Sequence, residues 1–323
     1  MKRFLTVGLR VLLVGAAVWA FRRETSGLSA DSVSRQLQGF GWRHAGLALA
    51  AAAGSFLMLG LIEVIGLRYA GRTTSPISTR VALSTAFVAN ALSQSIGVSV
   101  LTGAAVRSRA YSRSGVSTTD VARTTAFVTV TSTLGLLACG AVALILAPAP
   151  VVTGHIAIAT TPVGILLGAI VIAYLVWSAF GTRDHIGRGR WSLPRPSLRV
   201  AMAQLGLSVA DWLLVGTVLF AFIPAQLELG LTAVLGAYVI AQLLAVTSHV
   251  PAGAGVFELA TLGVLARGAP APTRAFVVAA LVMFRIVYYV VPLVLALPVA
   301  FANEWKRRTD TGRGAAVEVQ HAG

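Results

Sequence analysis

Four ionisable side chains lie inside apolar stretches of this sequence, where an unpaired charge is costly. They are Glu63, Asp211, Glu258 and Arg285. A group in such a place normally has an opposite charge beside it or a ligand to bind, so each is a candidate functional residue. We predict an ion pair between Glu258 and Arg285. Such a pair either only fixes how the last helix docks, or it lines a cavity that holds a lipid phosphate.

The stretches around the two partners add polar chemistry to this prediction. Arg285 lies in FRIVYYVVP, one helical turn before Tyr288 and Tyr289. Glu258 ends the stretch SHVPAGAGVFE, which also contains a histidine, a proline and two glycines: His249, Pro251, Gly253 and Gly255. These residues interrupt a helix, and the next half-helix would offer backbone N–H groups to an anion. An ordinary proline kink with glycines for close packing is the alternative, and both interpretations stay open.

This chemistry must lie in a membrane, because the composition excludes a soluble globule. Of the 323 residues, 56% are hydrophobic and 11% are charged, and the mean hydropathy is +0.81. A helical span needs about 20 apolar residues. Candidate runs lie near 4–21, 45–67, 81–106, 124–147, 156–180, 200–223, 231–267 and 275–302. We interpret the first as a retained helix and predict one membrane domain, 1–302, followed by a basic, polar and disordered tail, 303–323.

The basic residues predict how these segments are oriented. The net charge is +15, but the basic residues fall in short loops without interleaved aromatic residues, so no nucleic-acid partner is expected. The positive-inside rule places the arginine-rich loops and both termini in the cytoplasm. Segment 22–43 then faces outward, and its helical apolar spacing predicts a helix lying flat on the outer surface. A single cysteine, Cys139, excludes a disulfide framework.

The same rule predicts two re-entrant hairpins. Arg80 and Arg107 are both expected in the cytoplasm, so 81–106 must enter and leave on one side, and it carries the polar residues Asn90 and Gln94. The break in 231–267 leaves too few residues to cross again, so this segment is predicted to enter from outside. The predicted fold is all-α and polytopic, with about six full spans plus two re-entrant hairpins and cytoplasmic N and C termini. Transporters use such broken segments to line a midplane site.

Three stretches together resemble one known family. ANALSQSIGVSVLTGAAVRSRAYSRSGVS (89–117), AQLLAVTSHVPAGAGVFE (241–258) and FRIVYYVVPL (284–293) look like the lysylphosphatidylglycerol synthase transmembrane family, the membrane region of the bacterial multiple peptide resistance factor. The resemblance implies a flippase-like unit that moves aminoacylated phosphatidylglycerol between leaflets. The sequence departs from the commoner motif at Ala252, where a glycine is usual. No synthase domain is expected in a chain that ends at Gly323.

We therefore expect a phospholipid translocator in the bacterial cytoplasmic membrane, with an anionic or aminoacylated phospholipid as cargo. A non-transporting scaffold for a separately encoded synthase or cell-envelope enzyme stays open, as does homo-oligomerisation. An enzyme acting on lipid headgroups is less favoured, because no catalytic motif is found, and no catalytic residue, metal or cofactor is predicted. The predicted substrate-binding residues are Glu258, Arg285, Tyr288, Tyr289, Gly253, Gly255, Pro251, His249, Asn90, Gln94, Arg107 and Arg109.

Overall fold

The structure is a computed structural model that describes most of the chain. It describes residues 30–69, 77–96, 99–146, 151–153, 156–158, 160–182, 185–186, 192–223, 227–248 and 250–302. Three predictions concern residues outside these ranges: the first helix at 4–21, the tail at 303–323, and a binding role for His249.

Helices make up most of the described chain. They are α1 Ala30–Gln38, α2 Trp42–Tyr69, α3 Thr79–Ile96, α4 Ser99–Tyr111, α5 Thr118–Leu146, α6 Thr160–Phe180, α7 Leu198–Phe220, α8 Leu231–Ser248, α9 Val256–Leu265 and α10 Ala271–Ala302. Short 3₁₀ turns lie at Ser112–Ser114 and Pro251–Gly253, and α10 contains a π-helical segment at Ile286–Val290. Two small antiparallel pairs lie in loops: β1 Val151–Thr153 with β2 Ile156–Ile158, and β3 His185–Ile186 with β4 Leu193–Pro194.

Six of the described helices are long and apolar enough to cross a membrane, namely α2, α5, α6, α7, α8 and α10. Five of them correspond to predicted full spans, and α8 is the first half of the predicted hairpin at 231–267. Large apolar side chains of α6 such as Ile165, Ile172 and Phe180 are exposed, as expected of a helix that faces lipid. The prediction of an all-α polytopic membrane protein is confirmed.

Serines mark where several of these helices begin. The hydroxyl of Ser117 accepts the N–H of Asp120 at 3.1 Å at the start of α5, and Ser78 does the same for Val81 at 3.3 Å before α3. The Ser197 hydroxyl accepts from a backbone N–H in the first turn of α7 at 3.4 Å. A serine oxygen satisfies an N–H that has no partner within the helix, which is why such residues start helices.

The structure refines two segments of the sequence prediction. The span expected at 156–180 begins only at Thr160, because residues 156–158 pair with 151–153 as a β-hairpin and not as helix. The segment expected to lie flat on the surface forms the helix α1 within the part that the structure describes, and this helix packs against α10. Its apolar residue Val33 and the following Phe40 pack on the core, and the Phe40 ring lies 5.3 Å from that of Phe222. Its apolar stripe therefore faces protein.

Both segments predicted as hairpins are broken into two helices that pack on each other. The first divides into α3, which ends at Ile96, and α4, which begins at Ser99, and a Cβ placed on Gly103 would lie 3.0 Å from Ser93 Oγ. The second divides into α8 and α9, and a Cβ on Gly253 would lie 2.7 Å from that of Ala245. Consecutive helices that pack along each other fold back as hairpins. Their entry from opposite membrane faces stays a prediction.

The core is built around α2, which packs along α3 and α7. Small residues permit the closest helix approaches: a Cβ on Gly135 of α5 would lie only 2.8 Å from the backbone carbonyl carbon of Ser208 in α7. Small residues at such crossings let helix backbones approach in a membrane, where no hydrophobic force drives helices together. The first hairpin and α10 then pack around this centre and bring their polar residues inside.

Candidate functional site

The break between α8 and α9 is a tight turn in left-handed backbone. Ala252 has φ 53°, Gly253 has φ 62° and Gly255 has φ 82°, so three positive φ values occur within four residues. Glycine adopts such angles without strain, whereas alanine pays for them. Pro251 contributes the first residue of the 3₁₀ turn. The turn ends α8 and starts α9 in a new direction, which places Glu258 in the first turn of α9.

Glu258 and Arg285 form the predicted ion pair. Arg285 Nε donates to Glu258 Oε1 at 2.7 Å, and Nη2 lies 2.6 Å from the same oxygen. The second carboxylate oxygen accepts the N–H of Gly255 at 2.7 Å, and Arg285 Nη1 donates to the carbonyl of Ala252 at 3.0 Å. The pair therefore ties α10 to both sides of the turn. Its side chains stay partly open, with 23% of Arg285 and 14% of Glu258 exposed.

Aromatic rings hold the guanidinium in place. Its central carbon lies 4.6 Å from the ring centroid of Tyr289 and 5.4 Å from that of Phe257. Tyr289 and Tyr288 are neighbours in the π-helical segment, whose extra residue per turn lets adjacent tyrosines face the interior. A π segment inside an α-helix is common at functional sites. Cation–π contact with two rings fixes Arg285 while leaving one face of the charge accessible.

A cavity opens beside this ion pair. Its volume is about 360 Å³. Apart from Glu258 and Arg285, the lining is apolar: Ala254, Gly255, Val278, Leu281, Val282 and Ile286. An apolar cavity with one cation and one anion at its wall suits an amphiphile with a charged head.

The structure brings one further predicted residue, Gln94, toward this site. Helix α3 contacts both the 3₁₀ turn and the π segment, so the two broken segments meet. The Gln94 side chain interacts with the Tyr288 hydroxyl. Asn90, one turn earlier, uses its amide to donate to the carbonyl of Ala86 in its own helix at 2.8 Å. Gly253 and Gly255 shape the turn, as described above.

Arg107 and Arg109, by contrast, do not join the Glu258–Arg285 site. Arg107 is 4% exposed, and its Nε and Nη2 donate to both carboxylate oxygens of Glu63 at 2.8 to 2.9 Å. The Tyr111 hydroxyl donates to Glu63 Oε1 at 2.9 Å. Arg109, two residues after Arg107, is exposed. The fold of the first hairpin thus brings Arg107 to Glu63, and this arginine serves as the partner of a buried carboxylate.

A second polar cluster lies around Asp211. The sequence indicated Asp211 as a candidate residue but did not indicate its partner, Ser55. Ser55 donates to Asp211 Oδ1 at 2.5 Å and lies 3.0 Å from the Tyr288 hydroxyl. Asp211 stands out in the sequence as an intramembrane carboxylate, but Ser55 has no such signal. A serine in an alanine-rich helix is common, and only packing shows which one bonds to a charged neighbour. Among the described residues, no group of three or more histidines, cysteines or carboxylates could hold a metal ion.

Known proteins place the chain in a family. A family model described as "Lysylphosphatidylglycerol synthase TM region" matches residues 7–296, nearly the whole sequence. The chain belongs to this family. The match is to the transmembrane region and not to a synthase domain. The stretches around Gln94, Glu258 and Arg285 all lie within it.

Relatives of similar length share this membrane region. The chain is 28% identical over 280 residues to the protein slr0712 of Synechocystis sp., covering 82% of this chain and 85% of the relative. It is 27% identical over 258 residues to the inner membrane protein YbhN of Escherichia coli, covering 78% of each. The phosphatidylglycerol lysyltransferase of Staphylococcus haemolyticus is 34% identical over 93 residues, which are 28% of this chain and 11% of that enzyme. The chain is thus similar to a multi-pass membrane unit that also occurs within larger enzymes.

Proposed function

We propose that this protein moves a charged phospholipid between the leaflets of a bacterial cytoplasmic membrane, with the headgroup held at Glu258 and Arg285. One observation carries the proposal: a partly open ion pair lies at a helix break and lines an otherwise apolar cavity. Charges inside a membrane protein are costly and are kept where they serve a substrate or a partner. The apolar wall suits acyl chains, and the ion pair suits the headgroup.

The ion pair can exchange its internal partner for a lipid. A phosphate can accept hydrogen bonds from the Arg285 guanidinium, since guanidinium groups bind phosphates in a bidentate manner. Glu258 is then released and can accept from an ammonium group, such as that of an aminoacylated headgroup. Without a lipid, each charge compensates the other, so no unpaired charge is left inside the membrane protein. Such an exchange favours headgroups that have both a phosphate and an ammonium N–H, as aminoacylated lipids do, over headgroups that have no ammonium N–H.

The Gly255 N–H strengthens this arrangement. It donates a hydrogen bond to Glu258 Oε2 at 2.7 Å and lies at the N-terminus of α9. Release of Glu258 frees this backbone N–H at a helix end with positive partial charge, where an anion binds favourably. The left-handed turn therefore offers a second donor to the phosphate beside Arg285. This geometry also explains why the carboxylate lies in the first turn of a half-helix and not within a continuous helix.

The first cargo to test follows from the relatives. Staphylococcal proteins with a matching segment are phosphatidylglycerol lysyltransferases, so phosphatidylglycerol and its lysyl ester are the lipids to compare. The protein is reconstituted in liposomes with one fluorescent lipid in one leaflet, and loss of the accessible fluorescence measures translocation. Phosphatidylcholine serves as the lipid control. The variants are Glu258→Gln and Arg285→Ala, with Arg199→Ala as a matched exposed-arginine control.

We expect the wild type and Arg199→Ala to translocate at equal rates, and both site variants to be at least tenfold slower although folded. Glu258→Gln should slow the lysyl lipid more than phosphatidylglycerol, because only the former has an ammonium group for the carboxylate. Absence of translocation for every lipid with the wild type would contradict the proposal. A non-transporting scaffold for a separately encoded enzyme would then be the better account.

A further inference from the structure

Asp211 of α7 is a buried carboxylate that the proposed headgroup site does not use. It is 3% exposed, and its hydrogen-bond donor is the Ser55 hydroxyl at 2.5 Å. Two other buried carboxylates, Glu63 and Asp120, each pair with an arginine. Within the part of the chain that the structure describes, no arginine, lysine or histidine pairs with Asp211. Its negative charge therefore lacks the compensation that the others have.

Among the described residues packed around Asp211, none forms an ion pair with it. Helix α2 contributes the Ser55 hydroxyl, and Tyr174 of α6 bonds to Gln204. The titratable groups that interact with Asp211 from α5, α8 and α10 are Cys139, Tyr238 and Tyr288. None of these can carry a positive charge. An ionised carboxylate in such surroundings is costly, and uptake of a proton removes the cost.

A chain of hydroxyl groups leads away from the carboxylate. Ser55 Oγ lies 3.0 Å from the Tyr288 hydroxyl, and either atom can donate. The Gln94 side chain also interacts with the Tyr288 hydroxyl. Gln94 Oε1 is buried and has no hydrogen-bond partner. An unpartnered buried acceptor at the end of a hydrogen-bond chain is unusual and points to a second state in which it is used.

We propose that Asp211 is a proton-binding site, with Ser55, Tyr288 and Gln94 as the hydrogen-bond chain that reports its state. When Asp211 is ionised, Tyr288 donates to Ser55 and Ser55 donates to the carboxylate. When one proton adds to Asp211, the carboxyl O–H donates to Ser55, Ser55 donates to Tyr288, and the Tyr288 hydroxyl turns to donate to Gln94 Oε1. One proton is taken up, and the remaining hydroxyl hydrogens only change their acceptors.

The chain ends at the element that carries the headgroup site. Tyr288 and Tyr289 are adjacent in the π segment, and the Tyr289 ring lies under Arg285. A change in the Tyr288 hydrogen bond therefore acts on the segment that positions the guanidinium. Protonation of Asp211 is thereby coupled to headgroup binding, and this coupling rests on the proposed function above. The proton-binding site itself does not, so the two are tested separately.

Infrared spectroscopy of the purified protein tests the proton site without any transport. The protein is kept in a maltoside detergent, which has no carbonyl group, and the pH is varied. We expect a protonated carboxyl band in the wild type that disappears as the pH rises, because the carboxyl loses its proton. The band should be absent in Asp211→Asn and shifted in frequency in Ser55→Ala. It should persist in Asp120→Asn, which removes a carboxylate paired with arginine. A wild type without this band, or an unchanged band in Asp211→Asn, would overturn the proton site.

Translocation across the same pH range tests the coupling. In the liposome assay, we expect the wild-type rate for phosphatidylglycerol to change with the midpoint seen in the infrared titration. Asp211→Asn should lose this dependence, and Asp120→Asn should keep it. A wild-type rate that is constant across the midpoint would overturn the coupling and leave the proposed function standing. If the wild type moves no lipid, the proposed function and the coupling fail, and the infrared result alone decides the proton site.

Discussion

At the scale of single residues, Glu63 shows how a buried charge is accommodated in this protein. Its two oxygens accept three hydrogen bonds from two nitrogens of Arg107 and one from the Tyr111 hydroxyl, all at 2.8 to 2.9 Å. The pair is nearly dry, with side chains 5% and 0% exposed. Glu258 and Arg285 make a similar pair but remain partly open. The closed pair therefore fits a structural role, and the open pair fits a binding role.

The buried pair of Glu63 and Arg107 leads to a prediction about stability. Removing one partner leaves the other charge buried and alone, so Glu63→Leu and Arg107→Leu should each lower the free energy of unfolding by about 3–5 kcal/mol. The double variant should lose much less than the sum, because it buries no isolated charge. Thermal or denaturant unfolding in detergent measures this, with exposed Arg68→Leu expected to stay within about 0.5 kcal/mol of the wild type. Additive losses would show that the pair does not act as a unit.

At the scale of helices, glycines decide how closely neighbours approach. In α5, a Cβ on Gly135 would meet the Cβ of Ser208 at 2.5 Å and its backbone carbonyl carbon at 2.8 Å. Backbone cannot move aside as a flexible side chain does. In α7, by contrast, a Cβ on Gly206 would meet nothing within 4 Å. Two glycines at neighbouring places in the same helix pair thus have different roles.

We therefore expect opposite effects from the same substitution. Gly135→Ala should force α5 and α7 apart and destabilise the protein by about 1–3 kcal/mol. Gly206→Ala should be neutral or stabilising by up to about 1 kcal/mol, because alanine favours a helix. Unfolding temperatures of the two variants in the same detergent check this. Equal effects would mean that α5 and α7 are not in close contact at this position.

The turn between α8 and α9 contains one strained residue, Ala252, whose strain a glycine would relieve. Ala252 has a positive φ of 53°, a region that glycine adopts more easily. Ala252→Gly should therefore stabilise the protein by about 1 kcal/mol. The neighbouring Ala254 does not have positive φ, so Ala254→Gly should be neutral or destabilising and serves as the control. Unfolding experiments on both variants test the prediction, and a destabilised Ala252→Gly would contradict the left-handed geometry of the turn.

At the scale of the whole molecule, two broken segments meet beside α10. Helix α3 contacts both the 3₁₀ turn of the second hairpin and the π segment. This meeting places Gln94 beside Tyr288 and brings Arg285 to the turn. A site built from two hairpins can change when either hairpin shifts, which suits a transporter that alternates between two open states.

The hairpin formed by α3 and α4 leads to a testable prediction about membrane topology. If α3 and α4 enter and leave on one side, single cysteines at Ser78 and Ser112 should both react with a membrane-impermeant reagent from the cytoplasmic side. Both serines are exposed. Cys139 is the single native cysteine and is buried, so a Cys139→Ala background removes its contribution. Labelling of the two positions from opposite sides of the membrane would show that this segment spans.

Much of the site could be predicted from sequence because charged side chains are rare in apolar stretches and are therefore easily recognised. Glu258 and Arg285 are an acid and a base in apolar stretches, and few other partners of opposite sign exist there. The proline and glycines likewise indicate the turn. The partner of Glu63 could not be predicted, because Arg107 lies 44 positions later and approaches only when the first hairpin folds back. Segment 22–43 shows a related point: its apolar stripe fits a lipid surface and a protein surface equally well, so only the structure showed that Val33 and Phe40 pack on the core.

The sequence by itself determined the membrane setting, most of the helices and the breaks within two of them, because these follow from local hydropathy, proline and glycine. It also determined which charges must be compensated. Only the tertiary structure decided which partner each charge has, since compensation depends on distances between residues far apart in the chain. It paired Glu63 with Arg107, closed Glu258 on Arg285, and left Asp211 with a serine in place of a cation.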